Sequence, residues 1–295
     1  MKKPAWLNKK INIFDCRPVK ELLKGLNLNT VCQEALCPNI SECFKNKTAT
    51  FMILGNICTR NCAFCAVQKG KPLAVDFSEP IRIKQAVKKL NLDYVVITSP
   101  TRDDLSDGGA EVFCRTVKEI KSVGTGPCAC PLLKIEILIP DFLGKEDSIS
   151  RAACSGAEII AHNLETVPSL YNSVRKGAIY ERSLKVLETI KKAEKNVFTK
   201  SGLMLGLGEK REEIIQVLRD LRKVQCNFLT LGQYLPPSAN SYLLKEYVSL
   251  DQFAYFKKYA LEIGFKAVQS SPYTRSSYLA RSLAQSSDMI LENYI

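Results

Sequence analysis

The segment ATFMILGNICTRNCAFC, residues 49–65, begins as an apolar run and ends in three closely spaced cysteines. The run from Thr50 to Asn56 has the length and composition of a buried strand, and Cys58, Cys62 and Cys65 follow it directly. Five further strands are predicted at Tyr94–Thr98, Leu133–Ile139, Glu158–Ala161, Thr199–Leu205 and Phe228–Gln233. The helices that alternate with them are predicted at Ile81–Leu90, Ala110–Val123, Asp147–Ser155, Arg182–Lys195, Arg211–Val224 and Leu250–Gly264. Six such units imply a parallel sheet, either open and doubly wound or a complete or partial barrel.

Polar residues follow strand after strand, and this pattern favours the barrel. They include Ser99 and Arg102 after the second strand, His162 after the fourth and Gln233 at the end of the sixth. Barrel enzymes carry their reactive groups on the loops at these strand ends. Because no G-x-G-x-x-G follows the first strand, dinucleotide binding is not supported. We therefore predict an α/β fold, a partial (β/α)6 TIM-like barrel at residues 49–264, with extensions at residues 1–48 and 265–295.

The composition limits the class of protein. The chain has 295 residues, 46% of them hydrophobic, and a formal net charge of +12. Its longest apolar runs are far shorter than the roughly 18 residues of a membrane span, and no apolar segment of a secretory signal follows Met1 to Lys10. The charge favours acidic partners, but the basic residues are dispersed and no RNA-binding aromatic motif is present, so nucleic acid is not expected. Reduced thiols fit a bacterial-type cytoplasm.

A second cysteine triplet, C-x4-C-x5-C, precedes the first strand and consists of Cys32, Cys37 and Cys43. A disulfide framework is typical of short secreted chains, and zinc normally takes four ligands, so both are less well supported than iron–sulfur clusters. Three thiolates leave one iron of a 4Fe-4S cluster open to another ligand. The six other cysteines are expected to be small buried apolar residues: Cys16, Cys114, Cys128, Cys130, Cys154 and Cys226.

Two further groups of residues are assigned structural roles. The only histidine, His162, has no acid or nucleophile beside it in the sequence, which favours a hydrogen-bonded core position. Asp103, Asp104 and Asp107 are expected to cap the following helix and order its loop rather than to bind a hard metal ion.

The triplet CTRNCAFC, residues 58–65, resembles the C-x3-C-x-aromatic-C motif of the radical S-adenosylmethionine (SAM) superfamily. The resemblance implies that Cys58, Cys62 and Cys65 hold a 4Fe-4S cluster whose open iron binds SAM. It also implies reductive cleavage of SAM to a 5′-deoxyadenosyl radical, which abstracts hydrogen from an unreactive carbon. Phe64 is then expected near the adenine, and Asn163, Glu165 and Arg175 are candidates for binding the ribose and carboxylate, with a structural ion pair as the alternative.

Further motifs resemble the lipoyl synthase family from about residue 30 to residue 280. They are CQEALCPNISEC (residues 32–43), ATFMILG (49–55), TRDDLSDGGA (101–110), KSGLMLGLGE (200–209), LGQYL (231–235) and RSSY (275–278). Pro100, Asn56 and the pair Asn240-Ser241 depart from the family pattern, and none of them is an expected cluster ligand. The resemblance implies insertion of two sulfur atoms at C6 and C8 of an octanoyl chain on a carrier lysine, with two SAM molecules consumed.

The same resemblance implies a second, auxiliary 4Fe-4S cluster on Cys32, Cys37 and Cys43 that donates the sulfur. Its fourth iron would be bound by Ser277, with Ser276 as the less favoured choice. The implied partners are octanoylated lipoyl domains of 2-oxoacid dehydrogenase E2 subunits, the glycine cleavage H protein, a flavodoxin or ferredoxin reductant and an iron–sulfur carrier protein. Two alternatives stay open, namely another sulfur-inserting radical SAM enzyme, similar to biotin synthase or tRNA methylthiolases, and a two-cluster electron-transfer protein.

Overall fold

A parallel sheet with helices packed against it forms the body of the protein. The computed structural model describes residues 2–8, 16–45, 49–125, 133–278 and 280–283. The strands are β1 (Asn29–Thr30), β2 (Thr50–Met52), β3 (Ile57–Cys58), β4 (Gln68–Lys69), β5 (Tyr94–Thr98), β6 (Lys134–Leu138), β7 (Ile159–Ala161), β8 (Phe198–Leu205), β9 (Phe228–Gln233) and β10 (Ala267–Ser270). Eight of them form one sheet in the order β1-β2-β5-β6-β7-β8-β9-β10, and β3 pairs with β4 in a separate ribbon.

The helices alternate with the strands, as the sequence predicts. They are α1 (Arg17–Gly25), α2 (Val31–Glu34), α3 (Ile40–Lys45), α4 (Glu79–Leu90), α5 (Ala110–Lys121), α6 (Glu146–Ala153), α7 (Tyr171–Val174), α8 (Tyr180–Ala193), α9 (Arg211–Lys223) and α10 (Leu250–Glu262). Helices α4, α5, α6 and α8 pack side by side in chain order. Because β2 and the strands from β5 to β9 pair in parallel, the carboxyl ends of all of them lie at one edge of the sheet.

The sheet has one more parallel strand than the sequence indicates. Strand β10 pairs in parallel with β9, so part of the predicted C-terminal extension belongs to the sheet. At the other end, β1 from the N-terminal extension pairs antiparallel with β2. Both edge strands are too short to carry a clear periodic pattern, which is why the sequence did not reveal them. Residues 1, 9–15 and 46–48 of the N-terminal extension and residues 279 and 284–295 of the C-terminal one lie outside the described residues.

The two faces of the sheet bury two separate apolar clusters. Val95 and Ile97 of β5 belong to the large apolar cluster shared with the helices. Tyr94 and Val96, which alternate with them, belong to a smaller cluster that also contains residues of β7, β9 and β10. Ala280 and Leu283, near the end of the chain, pack into this smaller cluster. These two residues therefore cover part of the face that carries Tyr94 and Val96, which we call the inner face of the sheet.

A buried ion pair lies on that inner face. The ammonium group of Lys200 is 2.8 Å and 3.0 Å from the two carboxylate oxygens of Glu136, and both residues are fully buried. The Tyr94 hydroxyl donates a 2.6 Å hydrogen bond to the same carboxylate. Lys200 comes from β8 and Glu136 from β6, so the pair spans the strand between them.

Within the part of the chain that the structure describes, no helix combines the length and hydropathy that a membrane crossing requires.

Substitution of Lys200 by Met is expected to lower the free energy of unfolding by about 3–5 kcal/mol, because it leaves the Glu136 carboxylate buried without its cation. Urea unfolding of the anaerobically purified protein measures the change. The matched control is Lys192→Met, which removes a solvent-exposed partner of Glu188 and should leave the unfolding midpoint unchanged. Equal midpoint shifts for the two variants would contradict a special role for the buried pair.

Glu79 at the start of α4 supports the turn after β2. Its carboxylate accepts a 2.7 Å hydrogen bond from the backbone N–H of Leu54, which has a left-handed φ of 67°. Burial raises the pKa of Glu79 to about 7, partly offset by the bond from Leu54. The folded state therefore holds this proton at pH values where an unfolded chain, with a pKa of about 4.3, has released it.

Glu79 is accordingly expected to make stability fall as the pH rises. Its favourable contribution is complete below about pH 4.3 and is lost as the pH passes through about 7. Between roughly pH 5 and 7, the wild-type unfolding free energy should decrease relative to that of Glu79→Gln, whose neutral amide oxygen still accepts from Leu54. Urea midpoints of both proteins across this range measure the difference. Parallel pH curves for the two proteins would show that Glu79 does not titrate as described.

Candidate cluster sites at the mouth of the sheet

The Cys58–Cys65 loop lies at the carboxyl edge of the sheet. It begins after β2, where Leu54 and Gly55 turn the chain with φ values of 67° and 83°. The loop is held at its centre by Ala63, whose N–H donates to Val174 O at 2.9 Å and whose carbonyl accepts from Tyr242 N at 2.8 Å. These bonds join the loop to the segments after β7 and after β9. The first strand end and two later ones thus meet at one place, as the sequence predicts.

Arg60, between Cys58 and Cys62, anchors the loop to two carboxylates that follow neighbouring strands. Its guanidinium donates to both oxygens of Asp103 at 2.7 and 2.9 Å and to both oxygens of Asp141 at 3.0 and 2.6 Å. The Arg60 side chain is 8% exposed and that of Asp141 is fully buried. Although burial opposes ionisation, the Arg60 guanidinium holds the pKa of Asp141 well below its usual range. The sequence did not reveal these paired hydrogen bonds. Its only signs of them are an arginine inside the cysteine motif and the acidic residues Asp103 and Asp141, each of which follows a strand.

The three thiols of this loop lie close enough to affect one another. Burial, together with the charges of Cys62 and Cys58, raises the pKa of Cys65 to about 11, although a hydrogen bond from the backbone of Val67 opposes the change. Burial also raises the pKa of Cys62, while the nearby Arg175 lowers it. The backbone N–H of Arg60 lies 3.4 Å from the Cys58 sulfur and donates to it. Crowded, half-buried thiols of this kind need a bound cation to become thiolates, so the donor set fits an iron–sulfur cluster.

Among the described residues, no three His, Cys, Asp or Glu side chains are arranged to hold a single metal ion. A cubane cluster places each cysteine on a different iron, so its ligands surround the cluster rather than meet at one point.

The second triplet lies beside the C-terminal RSSY segment, more than 230 residues away in the chain. Asn39 Nδ2 donates to the Tyr273 carbonyl at 2.7 Å, and the Tyr278 hydroxyl donates to Glu42 Oε1 at 2.8 Å. Burial raises the pKa of Tyr278, as do its bond to Glu42 and the charges of Cys43 and Cys37. The thiols of the triplet and the RSSY turn therefore form one environment.

Cys32 is the buried member of this triplet. Burial and, to a smaller extent, the charge of Cys37 raise its pKa to about 11, although a hydrogen bond to Thr50 opposes the change. Burial lowers the pKa of Arg275, and the charge of Cys37 opposes that change. Ser277 is half-buried in the turn that follows Arg275.

Gly232 in β9 permits the RSSY segment to approach the sheet. A Cβ atom at this position would lie 2.1 Å from the carbonyl oxygen of Thr274 and 3.1 Å from the Arg275 guanidinium. Real side chains do not fit at such distances, so only glycine allows this contact. The glycine of the LGQYL motif is therefore required by the close approach of Thr274, which the sequence alone did not show.

Asn163 connects the two cysteine sites. Its Oδ1 accepts a 3.1 Å hydrogen bond from Ser276, and its Nδ2 donates to Glu165 Oε1 at 3.1 Å. Glu165 has a left-handed φ of 68°, and burial raises its pKa while Arg175 lowers it. Backbone strain of this kind persists where the surroundings demand one orientation of a side chain. The predicted SAM-binding residues are therefore together, with Ser276 of the RSSY motif bound to one of them.

Arg175 has uncharged hydrogen-bonding partners. Its guanidinium donates to Ser183 Oγ at 2.9 Å and to the Tyr171 hydroxyl at 3.1 Å. No carboxylate of the described residues lies within ion-pair distance of it, which leaves its charge available to the neighbouring Cys62 and Glu165. The structure does not contain the ion pair with Glu165 that the sequence left open as an alternative.

The remaining predicted residues have mostly structural surroundings. Phe64 packs against the cluster formed by Val174, Leu207 and Tyr234. His162 is buried, and its Nδ1 lies 2.9 Å from the carbonyl of Ile139. Burial lowers its pKa to about 4, so the ring is neutral and Nδ1 carries the proton that it donates. Its Nε2 is buried without a partner among the described residues.

The acidic residues after β5 order the loop, as predicted. Asp103 binds Arg60, and Asp104 binds Arg102 at 2.9 Å. Asp107 accepts from the backbone N–H groups of Gly109 and Glu111 at the start of α5.

The prediction that the other six cysteines are buried holds for only part of them. Cys16 and Cys226 are buried, but Cys114 is half-buried and Cys154 is exposed. Cys114 and Cys154 both line a surface pocket between α5 and α6. The pattern of apolar and polar residues around them did not indicate this exposure. Cys128 and Cys130 lie outside the described residues.

A cavity of about 390 Å³ lies between the two cysteine-bearing segments. Leu36, next to Cys37, lines one side, and Cys65 lines another. The cavity also reaches Asn240 and Ser241, where the chain departs from the family pattern. Its size falls within the range of small-ligand pockets.

Comparison with known proteins gives a family for this arrangement. The model of the radical SAM superfamily matches residues 52–221. A lipoyl synthase of Caldicellulosiruptor saccharolyticus is 54% identical over 280 residues, which is 95% of this chain and 96% of the relative. A lipoyl synthase of Geotalea daltonii is 52% identical over 279 residues, covering 95% and 92% of the two chains.

Solved structures support the fold independently of close sequence similarity. Methylornithine synthase (PylB) superposes with a TM-score of 0.55 at 14% identity, covering 81% of this chain and 80% of that one. Streptococcus suis SuiB bound to S-adenosylmethionine gives a TM-score of 0.57 at 13% identity, with coverage of 79% and 53%. From its sequence relatives and its fold together, the chain belongs to the lipoyl synthase family of the radical SAM superfamily.

Proposed function

We propose that the protein inserts sulfur at C6 and C8 of an octanoyl chain bound to a lysine of a lipoyl carrier domain. The observation that carries this proposal is the cavity between the two cysteine triplets, because it touches the segment of each. A chain entering there contacts Cys65 of one triplet and Leu36, the neighbour of Cys37 in the other. Geometry of this kind selects the carbon that reacts, since only atoms held near both groups are attacked. The absence of a catalytic acid–base pair in the motifs agrees with radical chemistry.

Cys58, Cys62 and Cys65 are the proposed ligands of the first 4Fe-4S cluster. When bound, this cluster supplies the electron that cleaves SAM to methionine and the 5′-deoxyadenosyl radical. Arg175 lies near Cys62, forms no ion pair with the described residues and is suited to the SAM carboxylate. Asn163 and Glu165, joined by a hydrogen bond, are suited to the ribose hydroxyls. Phe64, which belongs to the loop and packs on Val174, presents an apolar ring suited to contact with an adenine.

Cys32, Cys37 and Cys43 are the proposed ligands of the auxiliary cluster, whose sulfides are a substrate of the reaction. Ser277 is the proposed fourth ligand, supported by the contact of the RSSY turn with this triplet. A serine oxygen is a harder donor than a thiolate and binds the iron of a sulfide cluster less tightly. A Ser277 ligand would therefore be released more readily than a cysteine ligand when sulfur is removed. Ser276 is the weaker candidate, because its hydroxyl is already bound to Asn163.

The proposed partners follow from this reaction. Octanoylated E2 lipoyl domains and the glycine cleavage H protein supply the acceptor chain, a flavodoxin or ferredoxin supplies electrons, and an iron–sulfur carrier protein restores the consumed cluster. The proposed site of the reaction is the cytoplasm, where thiols stay reduced. The proposed organisation is a radical SAM barrel at residues 49–264 with extensions at 1–48 and 265–295 that carry the auxiliary site.

Replacement of either cysteine triplet by alanine is expected to halve the iron content from roughly eight to roughly four atoms per chain. The variant of Cys58, Cys62 and Cys65 should form no 5′-deoxyadenosine from SAM. The variant of Cys32, Cys37 and Cys43 should still form it but add no sulfur to an octanoylated carrier. Iron analysis, chromatography and mass spectrometry measure the three quantities. Loss of all iron in one variant would argue for a single shared site, and sulfur on tRNA instead of the carrier would favour the methylthiolase alternative.

Ser277→Cys is expected to hold the auxiliary cluster more tightly, because a thiolate replaces the oxygen ligand. Product formation should fall at least about tenfold, while 5′-deoxyadenosine is still formed. Resistance of the cluster to an iron chelator and mass spectrometry of the carrier measure these effects. Ser276→Cys is the matched control and should leave the chelator sensitivity of the auxiliary cluster unchanged. If the two variants exchange these behaviours, Ser276 is the ligand and our assignment is wrong.

A further inference from the structure

Among the described residues, the lining of the cavity between the two cysteine-bearing segments contains two cations, Lys69 and Lys176, and no acidic side chain. Both lysines are exposed, and neither ammonium group pairs with any part of the chain that the structure describes. The deeper cations differ in this respect, since Arg60 is bound by two carboxylates and Arg175 by two hydroxyls. The positive charge at the entrance is therefore available to a molecule that approaches from outside.

Exposed apolar side chains accompany these lysines. Leu36 lines the cavity and is 65% exposed, and Leu243 is 67% exposed. Leu243 follows Tyr242, whose backbone N–H is bonded to the cysteine loop at Ala63. Exposed apolar side chains at this entrance offer a folded partner a surface to bury, and the lysines beside them supply the polar rim that such interfaces have.

The size of the cavity limits what can enter. A volume of about 390 Å³ is near the lower end for small-ligand pockets and accepts a single extended chain. A folded protein must stay outside and pass one side chain inward. The face of that protein around the inserted side chain then lies on Lys69 and Lys176. Charge complementarity requires acidic groups on this face.

We propose that Lys69 and Lys176, together with Leu36 and Leu243, form the surface that docks a folded carrier domain through acidic side chains flanking its octanoylated lysine. The inference rests on the proposed function, because that function defines the inserted chain. Docking of this kind raises the association rate, and the effect weakens as salt screens the charges.

The test compares an octanoylated H protein with a short peptide that carries the same octanoyl-lysine between neutral residues. In the double variant Lys69→Glu/Lys176→Glu, the ratio of kcat/KM for the carrier to that for the peptide should fall by about tenfold. The change should reside in the KM for the carrier and should shrink at high salt. Lys69→Gln/Lys176→Gln should give an intermediate loss. Iron content verifies that each variant carries its clusters.

Lys257→Glu is the matched control, because Lys257 is an exposed lysine on α10 that does not line the cavity. It should leave the ratio at the wild-type value. The proposal is overturned if the double variant behaves as Lys257→Glu does. It is also overturned if the double variant loses affinity for a single-stranded RNA while its KM for the carrier is unchanged. A wild-type protein that converts neither substrate would reject the proposed function, and the docking inference with it.

Discussion

The site depends on the hydrogen bonds that the guanidinium of Arg60 donates to two carboxylates. Arg60 belongs to the cysteine loop, and its two partners, Asp103 and Asp141, follow β5 and β6. A loop of eight residues with three half-buried thiols has little packing of its own to define its shape. Four charge-assisted hydrogen bonds from one planar group fix its position and orientation relative to the sheet. Because the partners are themselves ordered by the parallel strands, the geometry of the sheet is transmitted to the thiols.

The repeating parts of the fold could be predicted from the sequence, because strand and helix periodicities are local. Strands β5 and β9 were predicted with their observed bounds, and the other central strands and helices within a few residues. The edge strands β1 and β10 were missed, since two or four residues carry no reliable period. The parallel order of the sheet followed from the alternation of elements, as did the meeting of the polar strand ends.

The cysteine groups of the site were visible in the sequence, but the contacts that support them were not. Cysteine spacing and family motifs indicated the two triplets and RSSY. Nothing in the sequence indicated that Asn163 would bind Ser276, because a hydrogen bond across 113 residues leaves no local pattern. The requirement for Gly232 was hidden for the same reason, as it arises from the backbone of Thr274. Exposure of Cys154 was also unpredictable, since a lone cysteine is compatible with either environment.

The contact between Asn39 and Tyr273 has a consequence for how the protein matures. The Cys58–Cys65 loop is contained in one short segment, and its thiols are neighbours at every stage of folding. The environment of Cys32, Cys37 and Cys43 exists only after both ends of the chain have been brought together across the finished sheet, which carries the entropic cost of a very long loop. The complete surroundings of these three thiols are thus a late product of folding, and only a chain whose two ends have met provides them.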